Sequence, residues 1–337
     1  MKFTYRTLAV AVAAALVMPI QATFAQDEKL TEEVVVIGTR TEGRSALDSP
    51  APVDVIGGET MSNQGDTDMS NLLRNVVPSY NVNDQPISDA ATLVRPANLR
   101  GLAPDHTLML VNGKRRHRAS VITWLGNGIS NGSQGPDAAA IPALALKRIE
   151  VLRDGASAQY GSDAIAGVMN FVLNDAREGG SVEVRYGEYK EGDGEQVTIA
   201  GNIGLPLGDS GFLNLTAEWG ESDPTSRSEQ RADAQSLIDD GYQGVPAPAM
   251  IWGRPIVNDD MKLWANFGVD LSDTLELYGH ANYNSKEVDG GFFFRNPTNR
   301  GAVYSGDGGE TLLIGDLTPD GSGNCPVVAM DGNIPDA

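Results

Sequence analysis

Cysteine, histidine and long apolar runs are scarce in this chain, and each shortage excludes something. A single cysteine, Cys325, among 337 residues permits neither an internal disulfide nor a cysteine metal cluster. The 3 histidines, His106, His117 and His280, stand far apart. No histidines, cysteines or carboxylates have ligand spacing, so no metal and no cofactor is expected. Beyond residue 25 there is no apolar run of eighteen or more residues, which leaves no segment for a membrane-spanning helix. Cations are sparse in the second half, where Gly179 to Ala337 carries 9 bases against 26 acids. Nucleic acid is therefore not an expected partner, because phosphate binding needs clustered positive charge.

What is present points outward from the cell. An apolar content of 41 % supplies core for at least one domain in a chain long enough for two. Met1 to Ala25 reads as a secretory signal: Lys2 and Arg6, an apolar stretch from Leu8 to Ile20, then Thr23 and Ala25 flanking Phe24. Export without a helical anchor leaves the periplasm, the outer membrane or the medium. Residues 26–49 form a linker containing the apolar run Val34, Val35, Val36, Ile37 after Glu33. Such a short β-branched run either adds itself to another protein's sheet edge or forms a first strand of the following domain.

That domain, residues 50–178, mixes short strands and helices. Val53 to Ile56 reads as a strand closed by Gly57 and Gly58. Met69, Leu72, Leu73 and Val76 have helical spacing, with acids before them and Pro78 after. Leu108 to Val111 runs into Asn112-Gly113 and then Lys114, Arg115, Arg116, His117 and Arg118, a hairpin signal. A loop from Val121 to Asp137 is rich in Gly, Asn and Ser. A short helix with Pro142 in its first turn is expected from Ile141, then strands Ile149 to Leu152 and Val168 to Leu173. Gly155, Gly161 and Gly167 punctuate the turns between these two strands.

Five segments carry a resemblance. EEVVVIGTR just after the signal, ANLRGL at Ala97 to Leu102, TLMLVNGKR at Thr107 to Arg115, LKRIEVLRDGASAQYGSDAIAG at Leu146 to Gly167, and VMNFVLN at Val168 to Asn174 resemble, in order, the coupling box and plug motifs of TonB-dependent receptors. The resemblance implies an α+β plug inside a 22-stranded transmembrane β-barrel, opened by force from the inner-membrane protein TonB with its ExbB/ExbD complex. It assigns coupling to Glu33, Val34, Val35, Val36 and Ile37. It assigns ionic and structural plug positions to Arg100, Gly101, Arg153, Asp154, Gly155, Gly161 and Gly167. Small-molecule chelates or oligosaccharides are the implied substrates. Trp124, Asn127, Ser130, Asn131 and Gln134, in the apical loop, are the ligand-contact candidates.

From Gly179 to Ala337 the pattern is alternation. Val182, Val184 and Tyr186 share one face, and so do Val197, Ile199 and Ile203. Leu213 to Trp219, Leu263 to Leu271 and Leu275 to Tyr283 continue the series as five segments close to ten residues long. That is the signature of transmembrane strands with a lipid face and a polar lumen face. A soluble β-sandwich gives similar alternation, so periodicity alone leaves both architectures open. If the plug ends in the periplasm, periplasmic turns follow strands two and four, at Leu205 to Ser210 and Ser272 to Thr274. Both are short, while about forty residues separate strands three and four on the other side. Five strands do not close a barrel, so a longer product is expected, with Cys325 either paired beyond Ala337 or a lone thiol.

Two decoys are set aside. Gly128 to Gly132 spells GxSxG around Ser130, but in a glycine-rich loop and not on a strand-to-helix elbow, so no enzyme is expected. The cluster Lys114 to Arg118 is expected to meet acids on the barrel wall, since a buried unpaired charge is costly.

Overall fold

The computed structural model describes residues 34–35, 37, 44–45, 52–82, 93–95, 97–123, 130–242, 245–291, 293–296, 311–313 and 327–329. The expected signal segment, Glu33, Val36, Trp124, Asn127 and Cys325 lie outside them. Strands β1 (Val34–Val35) and β2 (Arg44–Ser45) are two residues each.

The plug is built on a five-stranded sheet in the order β3-β8-β9-β6-β7. Its strands are β3 (Val53–Gly57), β6 (Thr107–Val111), β7 (Lys114–Arg115), β8 (Leu146–Leu152) and β9 (Gly167–Leu173). β6 and β9 run parallel, and the other neighbours are antiparallel. Both faces of this sheet are covered. Met109, Val111, Ile149, Val151, Met169 and Phe171 face one apolar cluster, and Leu108, Leu110, Leu152 and Val168 face another. Two-sided burial explains why β6 is a continuous apolar run and not an alternating one.

Local chemistry sets the remaining plug elements. Helix α1 (Gly58–Ser62) starts where a Cβ on Gly58 would lie 2.1 Å from the Leu146 carbonyl oxygen, a contact only glycine allows. Helix α2 (Met69–Val76) is capped by Asp68, whose carboxylate accepts the backbone N–H of Ser70 and Asn71. It buries Met69, Leu72 and Leu73 of the predicted stripe, with Val76 half-buried against the same cluster. Strands β4 (Tyr80–Val82) and β5 (Ala97–Leu99) pair beside it. Asn112 and Gly113 have φ of 47° and 74°, the two positive values a tight β6–β7 hairpin demands. The helix expected from Ile141 is only a 3-10 turn, Ala143–Ala145, with Pro142 before it. Strand β8 begins at the next residue and leaves no length for an α-turn. A short helix α3 (Ser157–Tyr160) lies between β8 and β9.

The second sheet is a meander in chain order, β10 (Gly180–Gly187), β11 (Gln196–Leu207), β12 (Gly211–Ser222), β13 (Ile256–Ser272) and β14 (Leu275–Asp289). Every neighbouring pair is antiparallel. Register stacks Ile203, Leu215, Ala265 and Ala281 on one face, with Val184 opposite Ile199 and Leu263 opposite Tyr283 on that same face. The polarity is inverted relative to a soluble sandwich. Val182 is 77 % exposed and Val184 60 %, whereas Asn214 on the opposite face is 3 % exposed. Apolar outside and polar inside is the arrangement of a barrel wall against lipid. β13 and β14 span 17 and 15 residues, longer than the ten expected, because pairing continues past bulges near Asn258 and Ser222 into a polar stretch. Helix α4 (Ala232–Asp239) lies in the long β12–β13 connection. Strands β15 (Thr311–Leu313) and β16 (Val327–Ala329) pair with each other. Among the described residues no helix is long and apolar enough to cross a membrane, which says nothing of strands.

Candidate functional site

From Val35 onward the chain forms one unit in which the plug sits on the inward face of the wall. Three kinds of contact hold it there. The first is a clasp from Arg185 on β10. Its guanidinium donates to the backbone carbonyls of Ser62, Gln64 and Asp66, the turn between α1 and α2, and pairs with Glu183 two residues away. Glu183 and Arg185 share the inward face by period two, so the acid holds the base in position.

The second is electrostatic and acts across a cavity of about 110 Å³ between the plug turn and strands β11–β14, with ion pairs formed within the wall on one side and within the plug on the other. Asp66, Asp68 and Arg95 line the plug side, and Glu218, Lys262 and Arg254 are among those on the wall side. Lys262 Nζ lies 2.6 Å from Glu218 Oε1, both side chains being 8 % exposed, directly opposed by the β12–β13 register. Asp260 adds a second carboxylate at 3.6 Å. Arg95 pairs with Asp68. Burial alone would raise the Asp68 carboxyl, but Arg95, then Lys286 and Lys262, outweigh it and hold the group well below the usual carboxylate range.

The third contact consists of neutral amides. Asn112 Oδ1 accepts the Leu173 N–H at 2.9 Å, and Asn112 Nδ2 donates to Asn266 Oδ1 at 3.1 Å. Asn266 Nδ2 donates to the Asn174 carbonyl at 3.0 Å. Asn202 Nδ2 reaches Asn214 Oδ1 at 2.6 Å and Thr216 Oγ1 at 2.8 Å. Beneath them Glu150, fully buried, accepts from Arg148 at 2.9 Å and from Asn170 Nδ2 at 3.1 Å.

The residues expected from sequence are scattered over this frame. Of the coupling segment, Ile37 is 1 % exposed and packs with Leu108, Leu110, Leu152 and Val168. Arg100 and Gly101 form a turn at φ 56° and 71°, with Arg100 3.9 Å from Asp154. Arg153 does not act with Asp154: it grips Asp54 across the β3–β8 edge, and Asp154 accepts the Gly155 N–H at 2.7 Å. Gly161 and Gly167 hold φ of 93° and 152°, and a Cβ on Gly167 would lie 2.4 Å from the Leu152 carbonyl. Gly155 has no such contact, a Cβ there meeting only Ile165 O at 3.6 Å. In the apical loop Ser130 is 3 % exposed and its hydroxyl takes a bond from Asn98 at 3.1 Å. Asn131 is exposed, and Gln134 donates to the Ala119 carbonyl at 2.8 Å.

The cation cluster departs from expectation. Its wall partners are aromatic and amide groups, not acids: Lys114 lies 5.6 Å from the Tyr278 ring, and Arg116 lies 5.2 Å from the Trp264 ring and donates to Asn282 at 3.0 Å. The acid that Arg115 and Arg118 find, Asp163, belongs to the plug itself. Alternation identifies which wall residues face inward but not which of them stand opposite this hairpin. Trp264, Arg185 and the asparagines were missed for that reason, although their inward positions were readable. Among the described residues no group of His, Cys, Asp and Glu is arranged to hold a metal.

Comparison with known proteins places this geometry. Residues 45–168 match the family described as TonB-dependent Receptor Plug Domain. The ferrienterobactin receptor of Escherichia coli is 28 % identical over 300 residues, covering 85 % of this chain and 36 % of the relative. The vitamin B12 transporter BtuB of Photobacterium profundum is 28 % identical over 239 residues, 71 % of this chain and 35 % of the relative. A ferric enterobactin receptor of Pseudomonas aeruginosa solved with enterobactin aligns with TM-score 0.53 at 21 % identity, covering 71 % of this chain and 33 % of that one. The chain thus spans about a third of the length of these relatives.

Proposed function

We propose that the chain is the front part of a TonB-dependent receptor, contributing a plug domain and the first strands of a barrel wall, and that the full protein binds a scarce extracellular metal chelate and imports it through the Gram-negative outer membrane. Residues 1–25 direct export, residues 26–49 hold the coupling segment, 50–178 form the plug, and 179–337 begin the barrel. Glu33 to Ile37 pair with a strand of TonB once Ile37 leaves the plug cluster that buries it, and TonB transmits force from ExbB/ExbD. The names of the relatives, a ferrienterobactin receptor and a vitamin B12 transporter, favour a chelate over an oligosaccharide. No catalytic step is assigned.

The observation that carries this reading is how the plug is held. It meets the wall through carbonyl and amide contacts and the adjoining β12–β13 connection through the Arg254–Asp66 ion pair, with Trp264 adding an apolar contact. Polar contacts of this kind exchange for water at about 1 kcal/mol each, so a plug held by them can leave and return. An apolar joint of equal area would not reopen so readily. The test is Val35→Pro in the full-length protein, with ferric enterobactin and cobalamin as probes. Proline removes a ladder donor, so energised uptake is lost while surface binding persists. Uptake at the wild-type rate in that variant would reject the mechanism. A passive pore is the competing reading, and it requires uptake that survives collapse of the proton gradient.

A further inference from the structure

The described residues of the long connection between β12 and β13, 223–242 and 245–255, fold on one another. Ala234 and Leu237 of α4 are buried and so is Met250, while Gln230 spans the loop, donating to the Pro246 carbonyl at 3.1 Å and accepting the Ala249 N–H at 2.8 Å. Its two limbs are fastened to each other at the base. Thr225 N donates to the Arg254 carbonyl at 3.2 Å, and Arg254 N donates to Thr225 Oγ1 at 2.8 Å. A Cβ on Gly253 would fall 1.6 Å from the Thr225 carbonyl oxygen, so the limbs touch backbone to backbone. The first limb is also bound to the β10–β11 hairpin. Arg227 makes a two-point pair with Asp193, at 2.8 Å for one arm, and reaches Glu191 at 3.3 Å.

Arg254 is where this assembly meets the plug. Its guanidinium lies 5.5 Å from the Tyr189 ring of the same hairpin and 3.7 Å from Asp66 Oδ2. Asp66 is the organising residue of the turn held by Arg185. Its carboxylate accepts the Asp68 N–H and the Asn71 side chain, both at 2.9 Å, and its carbonyl lies in the clasp. A displacement of either limb therefore moves the backbone of Arg254, and the Arg254 side chain bears on the residue that sets the start of α2.

We propose that Arg254 is the positioning residue that reports the state of loop 223–255 to the plug, by way of Asp66 and the clasped turn. The proposal rests on the receptor reading and deepens it, since it says how a change in this loop reaches the plug. The coupling itself exists without ligand and is measured without one. Loss of transport would therefore leave it standing, and its own failure would leave transport standing.

The experiment is amide hydrogen exchange on the full-length protein in lipid bilayers, comparing Arg227→Ala in two backgrounds, wild type and Arg254→Gln. Among the described residues Arg227 bonds to the hairpin and the loop. With Arg254 present, Arg227→Ala speeds exchange in the loop peptide and raises exchange in the plug peptide Gly58 to Val76 by about fivefold, the lower end of ordinary coupling between sites. In the Arg254→Gln background the loop still loosens and the plug peptide does not respond. An equal plug response in both backgrounds overturns the proposal, and so does a loosened loop with no plug response in either. If Arg227→Ala leaves the loop unchanged, replacing residues 230–247 with a Gly/Ser linker supplies the perturbation, and the same comparison decides.

Discussion

Replacing Arg185 by methionine keeps most of the side-chain volume and removes the clasp. Three carbonyls, those of Ser62, Gln64 and Asp66, lose a charged donor, and Glu183 loses its ion partner. A hydrogen bond to a charged group is worth ~1.5–3 kcal/mol, so three set an upper bound several times the net value. Water replaces part of the donor's role at this partly buried site, and we expect a loss of about 3 kcal/mol in the closure of the turn, roughly a hundredfold in its opening constant. The readout is a thiol placed at Ser70, a buried position on α2, in a Cys325→Ser background of the full-length protein in bilayers. Its labelling rate at rising urea reports opening of α2 while the barrel stays folded. Arg185→Lys separates geometry from charge. Lysine offers a compact ammonium in place of a planar fork and recovers less than half of the loss. A labelling rate within threefold of wild type for Arg185→Met, or full recovery by Arg185→Lys, refutes the role given to the fork.

Other predictions follow from single contacts. Glu218→Gln takes from buried Lys262 its carboxylate at 2.6 Å and leaves Asp260 at 3.6 Å; it destabilises the β12–β13 pairing by ~3 kcal/mol in urea titration, whereas Glu218→Leu with Lys262→Met stays within ~1 kcal/mol of wild type. Gly167→Ala combines a φ of 152° with a Cβ 2.4 Å from the Leu152 carbonyl. It costs ~3 kcal/mol or more, seen as poor assembly of full-length protein into outer membranes. The Asp68 carboxyl is held below its unfolded value, so its contribution is complete above about pH 4 and is lost as pH falls toward the folded value. Ser70 labelling in Asp68→Asn, which keeps the cap, should lack the acid-induced rise that wild type shows.

The sequence by itself determined the local geometry. Period two named the lipid-facing and lumen-facing residues of all five wall strands, because side chains alternate whatever the strand packs against. Asn112-Gly113 announced a hairpin, because few other pairs accept two positive φ values. The apolar spacing of Met69, Leu72 and Leu73 announced a buried helix face. The tertiary structure alone decided which inward residues meet. Arg185 reaches carbonyls 119 to 123 positions away, and Asn112 reaches Asn266, 154 positions away. Arg153 took Asp54 over its neighbour Asp154, and the hairpin cations took rings and amides over acids. Such pairings depend on sheet register and on how the plug is turned inside the wall. Both are sums of many weak long-range contacts, and no single stretch of sequence records them.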